Sequence, residues 1–145
     1  MKKLAATLGT AFVLVLTSMA VAAPANAATQ TRTTNFTYND GVQDFSCSQT
    51  ATLTVGDITV VGRATVTCSG QGDLVTIGVN GTLQAGSGDL LEATNTCFTT
   101  STCTGAATVP RDVSGTQYCF SGGIVSLDFT PFVPGSEVAR FCTTA

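Results

Sequence analysis

Between residues 45 and 68 polar and apolar positions alternate with a period of two. In the first run Cys47, Gln49, Ala51, Leu53 and Val55 share one face, and Ser46, Ser48, Thr50, Thr52 and Thr54 take the other. In the second, Ile58, Val60, Ala64, Val66 and Cys68 face one way, with Thr59, Val61, Arg63, Thr65 and Thr67 opposite. Such alternation marks half-buried strands, and β-branched Thr and Val suit a pleated surface. Gly56-Asp57 between the runs predicts a tight, glycine-first hairpin turn. That turn puts Val55 opposite Ile58 and Cys47 opposite Val66, leaving Cys68 a diagonal neighbour on the same face. A bulge at Gly62 would bring the two sulfurs into register. The cysteines are thus expected to staple the hairpin from its core side.

The same reasoning places further strands near 33–38, 73–79, 82–85, 89–98, 103–109, 116–121, 123–130 and 137–142, with a polar, frayed start at 28–34. The turn signals between them are Asn39-Asp40-Gly41, Gly70-Gln71-Gly72, Asn80-Gly81, Gly86-Ser87-Gly88, Ser114-Gly115, Gly122-Gly123 and Pro134-Gly135. Past residue 27 no segment sustains a 3.6-residue period; LLEATN at 90–95 is too short. Short strands punctuated by glycine predict an all-β domain, an antiparallel β-sandwich of immunoglobulin-like character, with a barrel as the alternative. No repeat or linker divides it.

The beginning of the chain is a different text. MKKLAATLGTAFVLVLTSMAVAAPANA has two lysines, an apolar-rich run from Leu4 to Leu16, and small residues ending in Ala25-Asn26-Ala27. This is the grammar of a secretory signal peptide, expected to be cleaved after Ala27. The run is too short for a membrane span, which needs about 20 apolar residues. The expected organisation is 1–27 as signal peptide and 28–145 as one β domain, a monomer released outside the cell. The leader looks like those of Gram-positive bacteria. Cleavage also removes the only lysines and methionines, leaving a chain without Lys, Met, His or Trp. Four arginines then stand against nine acids, a net charge of −5. That balance argues against nucleic acid or an anionic membrane as partner.

All six cysteines follow Ala27. An even number in a small exported chain reads as three disulfides. A zinc site is disfavoured, since there is no C-x-x-C pair and no histidine. Sequence leaves 15 pairings open; local geometry favours the sequential one, Cys47–Cys68, Cys97–Cys103 and Cys119–Cys142. The five residues between Cys97 and Cys103 in CFTTSTC would then form a braced hairpin tip.

Catalysis is restricted by the same composition. Without histidine or lysine, nucleophilic triads cannot be assembled. Paired carboxylates of the glycosidase kind remain, for instance Asp40 with Asp44 or Asp89 with Glu92, but these acids sit beside turns, where Asp normally serves backbone geometry. No cofactor is implied. Calcium could use the oxygens of 39–44 and 86–89, although neither segment has the spaced carboxylates of a calcium loop. Loop recognition is the better alternative to a purely structural role. Thr99, Thr100 and Ser101 at the braced tip, and Val109, Pro110, Arg111 and Asp112 on the segment after it, are the candidate binding residues, with Arg111 as a possible anchor. DFTPFVPG at 128–135 is a further apolar segment, expected to be buried at the end of the sandwich. Two N-x-T sequons, at Asn35 and Asn80, matter only in a host that glycosylates them.

CFTTSTC and the acidic, Thr-rich composition are similar to the antibiotic-carrying apoproteins of the neocarzinostatin type. Those proteins have fewer bridges and a different cysteine layout, so neither ligand nor site residues are carried over. The expected function is a secreted, non-catalytic binding or extracellular structural module for a protein, glycan or small ligand. The alternatives are a hydrolase inhibitor presenting a constrained loop and a small carboxylate-dependent hydrolase.

Overall fold

A computed structural model describes residues 28–112, 115–131 and 138–145. The expected leader and residues 132–135 of the apolar segment, with its Pro134-Gly135 turn, lie outside the described residues. The chain is all-β. Its strands are β1 (Ala28–Asn39), β2 (Asp44–Val55), β3 (Thr59–Ser69), β4 (Leu74–Ala85), β5 (Leu90–Glu92), β6 (Asn95–Thr100), β7 (Thr102–Pro110), β8 (Gln117–Leu127), β9 (Thr130–Pro131) and β10 (Val138–Thr144). They form two antiparallel sheets, β1-β2-β3-β7 and β10-β8-β4-β5, with β6 also on β4 and β9 on β8. The disulfides are Cys47–Cys68, Cys97–Cys103 and Cys119–Cys142.

The inward parity read from β2 and β3 places Phe45, Cys47, Ala51, Leu53, Val55, Val60, Ala64, Val66 and Cys68 in the core. Two apolar clusters draw on both sheets. One surrounds Phe120 with Leu53, Val60 and Leu83, and the other surrounds Phe45 with Ile77, Leu127 and the Cys47–Cys68 bridge. Between them along β2 lies Gln49, fully buried, whose Oε1 accepts the Ile124 amide at 3.0 Å. Pairing of β4 with β8 steps from Gly78↔Ser126 to Val79↔Ile124, which makes Val125 the extra residue of a bulge. Gln49 supplies an acceptor to an amide at that irregularity, where an unmet buried N–H would cost about 1–3 kcal/mol.

Several expectations change. Four residues, 56–59, separate the paired Val55 and Val60, and Gly56 N donating to Thr59 O closes this turn, so that Cys47 directly faces Cys68. No bulge at Gly62 is needed, and Ile58 is 80% exposed in the loop instead of core-facing. Residues 28–34 belong to β1 and are not frayed, because β2 is long enough to pair every one of them. The 89–98 segment is two strands, interrupted where the Ala93 amide turns to Gly81 O.

Neither Asn80-Gly81 nor Gly122-Gly123 is a turn; both lie inside strands and pair with each other across β4 and β8. Their smallness serves packing. A Cβ on Gly81 would lie 2.6 Å from Cζ of Phe120, and one on Gly122 2.9 Å from the Gly81 Cα.

A candidate binding face beside Thr76

Strand directions sort the connections into two ends. The 40–43, 70–73, 99–101 and 128–129 connections cluster at one end, while 56–58, 86–89 and 110–112 lie at the other. At the first end, Leu127 pairs with Thr130, leaving Asp128-Phe129 as a two-residue hairpin turn. Both residues have positive φ, 47° and 63°. That geometry normally selects Asn-Gly, and a bulky aromatic there is strained.

Hydrogen bonds to the start of β4 hold the turn. Asp128 Oδ1 accepts the amides of Val75 at 2.7 Å and Thr76 at 3.3 Å, and Asp128 N donates to Thr76 O. Phe129 N donates to Thr76 Oγ1 at 2.9 Å. The consequence is a Phe129 side chain left 70% exposed. Burial and the adjacent Asp128 carboxylate, which accepts its hydrogen bond, raise the Tyr38 phenol above its usual pKa, with a smaller push from Asp40.

Thr76 has a second aromatic neighbour. Its cross-strand partner on β6 is Phe98, 65% exposed, while Thr76 itself is 1% exposed. The adjacent Cys97–Cys103 bridge ties β6 to β7, as does Asn95 Nδ2 donating to Thr104 O at 2.8 Å. Two residues along β4, Gly78 adds no side chain of its own, and the space over it is taken by its cross-strand partner Ser126, whose Oγ is the atom nearest to where a Cβ would stand, with Val125 Cγ2 beside it at 3.2 Å. Phe98 and Phe129 are therefore both exposed beside the buried Thr76, one as its cross-strand partner and one through its amide, with Val125 partly exposed next to Gly78 two residues along β4. Periodicity could not reveal this group, because its members come from three segments brought together by the β6-β4-β8 order and a bulge.

The predicted loop residues do not form one site. Thr99, Thr100 and Ser101 lie at the braced tip near Phe98; Ser101 O accepts the Cys68 amide, and Thr100 Oγ1 bonds the Thr102 backbone. Val109, Pro110, Arg111 and Asp112 lie at the other end of β7, roughly 25 Å away at about 3.4 Å per residue. Val109 is buried, and Pro110 lies opposite Thr59. Arg111 donates its amide to Ile58 O and Nη1 to Gly56 O, and the Asp112 amide donates to Tyr118 Oη at 2.6 Å. This segment clamps the β2–β3 loop and is not the displayed loop that its polar sequence suggests, because the loop's carbonyls and the Tyr118 hydroxyl give its donors internal partners.

The acids proposed for catalysis or calcium are also placed. Asp40 Oδ1 accepts the Gln43 and Val42 amides, bonds that lower its pKa, and Asp44 Oδ1 accepts from Asn39 Nδ2 at 2.7 Å. Asp89 immediately precedes β5 and Glu92 is its last residue, and the 39–44 and 86–89 segments lie at opposite ends. On the outer face of β1-β2-β3, Asn35, Thr37, Ser46, Ser48, Thr67 and Ser69 line a shallow depression of about 420 Å³. Comparison with protein-family models, curated proteins and solved structures gives no match to this chain.

Proposed function

We propose that the chain is an exported, non-catalytic binding module, an immunoglobulin-like β-sandwich that acts as a monomer after loss of residues 1–27. Its working surface is the end carrying Phe98 and Phe129. The observation that carries this reading is the pair of exposed aromatic side chains beside Thr76, held on hydrogen-bonded and disulfide-braced backbone. Each phenylalanine left in water forgoes about 1.5–3 kcal/mol of burial. A partner that covers both recovers that free energy without first ordering the loops.

Two apolar clusters shared by the antiparallel sheets support the sandwich architecture. Three disulfides in one small chain are typical of extracellular proteins, which supports export. The inhibitor reading loses its anchor, since Arg111 is engaged by Gly56 O. The Asp40 and Asp128 carboxylates at this end likewise hold the protein's own amides.

The test is capture from the producing cells' culture medium on immobilised residues 28–145. Phe98→Ala and Phe129→Gly should each reduce recovery of one defined partner, while Ile58→Ala at the other end should not. Recovery unchanged by both phenylalanine variants refutes the proposal.

A further inference from the structure

The aromatic pair lies within a field of one sign. Asp40, Asp44, Asp73 and Asp128 all belong to the end where Phe98 and Phe129 emerge. The arginines lie elsewhere. Arg32 is seven residues back from the end of β1, roughly 23 Å along an extended strand, and Arg63 is six back from the end of β3, roughly 20 Å. Arg111 and Arg140 are engaged near the opposite end, by Gly56 O and by Gln84 Oε1. Acids at that far end thus share it with cations; among the described residues, those at the end of the phenylalanines do not.

We propose that this end docks a cationic peptide segment in which basic side chains adjoin apolar ones. The inference rests on the binding-module reading above and names its partner. Apolar side chains would cover the exposed Phe98 and Phe129 beside Thr76 and the partly exposed Val125. Basic groups would meet the surrounding carboxylates and the aromatic faces, whose negative π surface attracts cations. Asp73 is the strongest candidate for direct pairing, because it is exposed and its carboxylate bonds no described residue. Asp40 and Asp128 are committed to backbone amides and contribute their charge at a distance.

Extent favours a peptide over a small cation. From β6 to β8 is two strand spacings, about 10 Å, and the Asp40–Asp44 hairpin belongs to the other sheet, about another 10 Å across the core. Only a chain of several residues reaches the aromatic group and acids so spread.

The experiment titrates residues 28–145 with short peptides alternating leucine with arginine, with glutamate or with serine, at low and at physiological salt. The leucine–arginine peptide should bind at least about tenfold tighter than the leucine–glutamate one, and salt should narrow that gap. Asp73→Asn should weaken it severalfold. Phe129→Gly should abolish binding while leaving thermal stability equal or higher, since glycine suits φ 63°. Equal binding of all three peptides, or indifference to Asp73→Asn with continued dependence on Phe129, overturns the cationic partner and leaves the aromatic surface standing. No binding of any peptide, or binding indifferent to Phe129→Gly, overturns both.

Discussion

Gly62→Ala tests how the two sheets fit together. In an ordinary strand interior this change would stabilise by about 0.5–1 kcal/mol, because alanine loses less backbone freedom on folding. At Gly62 the added Cβ would fall within the ring of Phe120, 2.6 Å from Cε2 and 2.9 Å from Cγ. The ring has little room to retreat. It lies against Gly81 on the neighbouring strand of its own sheet and meets Phe141 edge-on at a centroid distance of 6.4 Å. β3 is held on both sides by β2 and β7, so the backbone is also restrained. Overpacking of this kind costs about 1–3 kcal/mol; at the upper end, less the backbone gain, the net loss is about 2 kcal/mol. Urea unfolding of the oxidised protein should show it as a midpoint lowered by about 1–2 M for an m-value of about 1–2 kcal/mol/M. Phe120→Leu should offset part of the penalty, making the double variant more stable than the sum of the singles by about 1 kcal/mol. A midpoint at or above that of the parent would refute the packing argument, and strict additivity would exonerate the Phe120 ring.

Two further outcomes follow from the bridges and the phenol. Paired serine replacement of Cys97 and Cys103, whose sequence separation is 6, should cost about 2 kcal/mol, against about 3 kcal/mol for Cys47–Cys68 or Cys119–Cys142 with separations of 21 and 23. Denaturant midpoints check that order, and a larger loss at the short bridge contradicts it. Because the folded state raises the Tyr38 pKa above 10.0, its contribution is complete below pH 10 and is lost as pH rises through the folded value. Tyr38→Phe should therefore flatten the alkaline fall in stability, and phenolate absorbance of the native parent should emerge later than in unfolded chain; coincident titrations would contradict the assignment.

The hairpin from β2 to β3 shows how far local pattern reaches. Parity alone assigns Cys47 and Cys68 to the core face, whatever the turn. A slip of one residue reverses every side chain, whereas a slip of two preserves each face. The expected two-residue turn was short by two, so the inward set survived except at Ile58, while each cross-strand partner moved. Bridges within hairpins are legible for the same reason: Cys47 and Cys68 lie on strands adjacent in sequence.

Glycine was ambiguous for a different reason. At Gly41 and Gly86 it has positive φ in a turn, and at Gly81 and Gly122 it admits a ring or a neighbouring strand. Composition cannot separate these uses, since both demand the absence of a Cβ. The candidate surface was less legible still. Asp128-Phe129 lacks the residues its turn prefers and is held by Thr76, 52 and 53 positions away. The 109–112 loop was misread in the converse sense, because its internal acceptors, Gly56, Ile58 and Tyr118, are supplied by other segments.

By itself the sequence determined which strand faces turn inward and that this is a β chain, because alternation at period two is a property of neighbouring residues. Tertiary structure alone decided strand partners, the Val125 bulge with its buried Gln49, and the exposure of Phe98 and Phe129 around Thr76. Those outcomes depend on which distant backbone groups and rings occupy the same space, a condition imposed only when the two sheets meet.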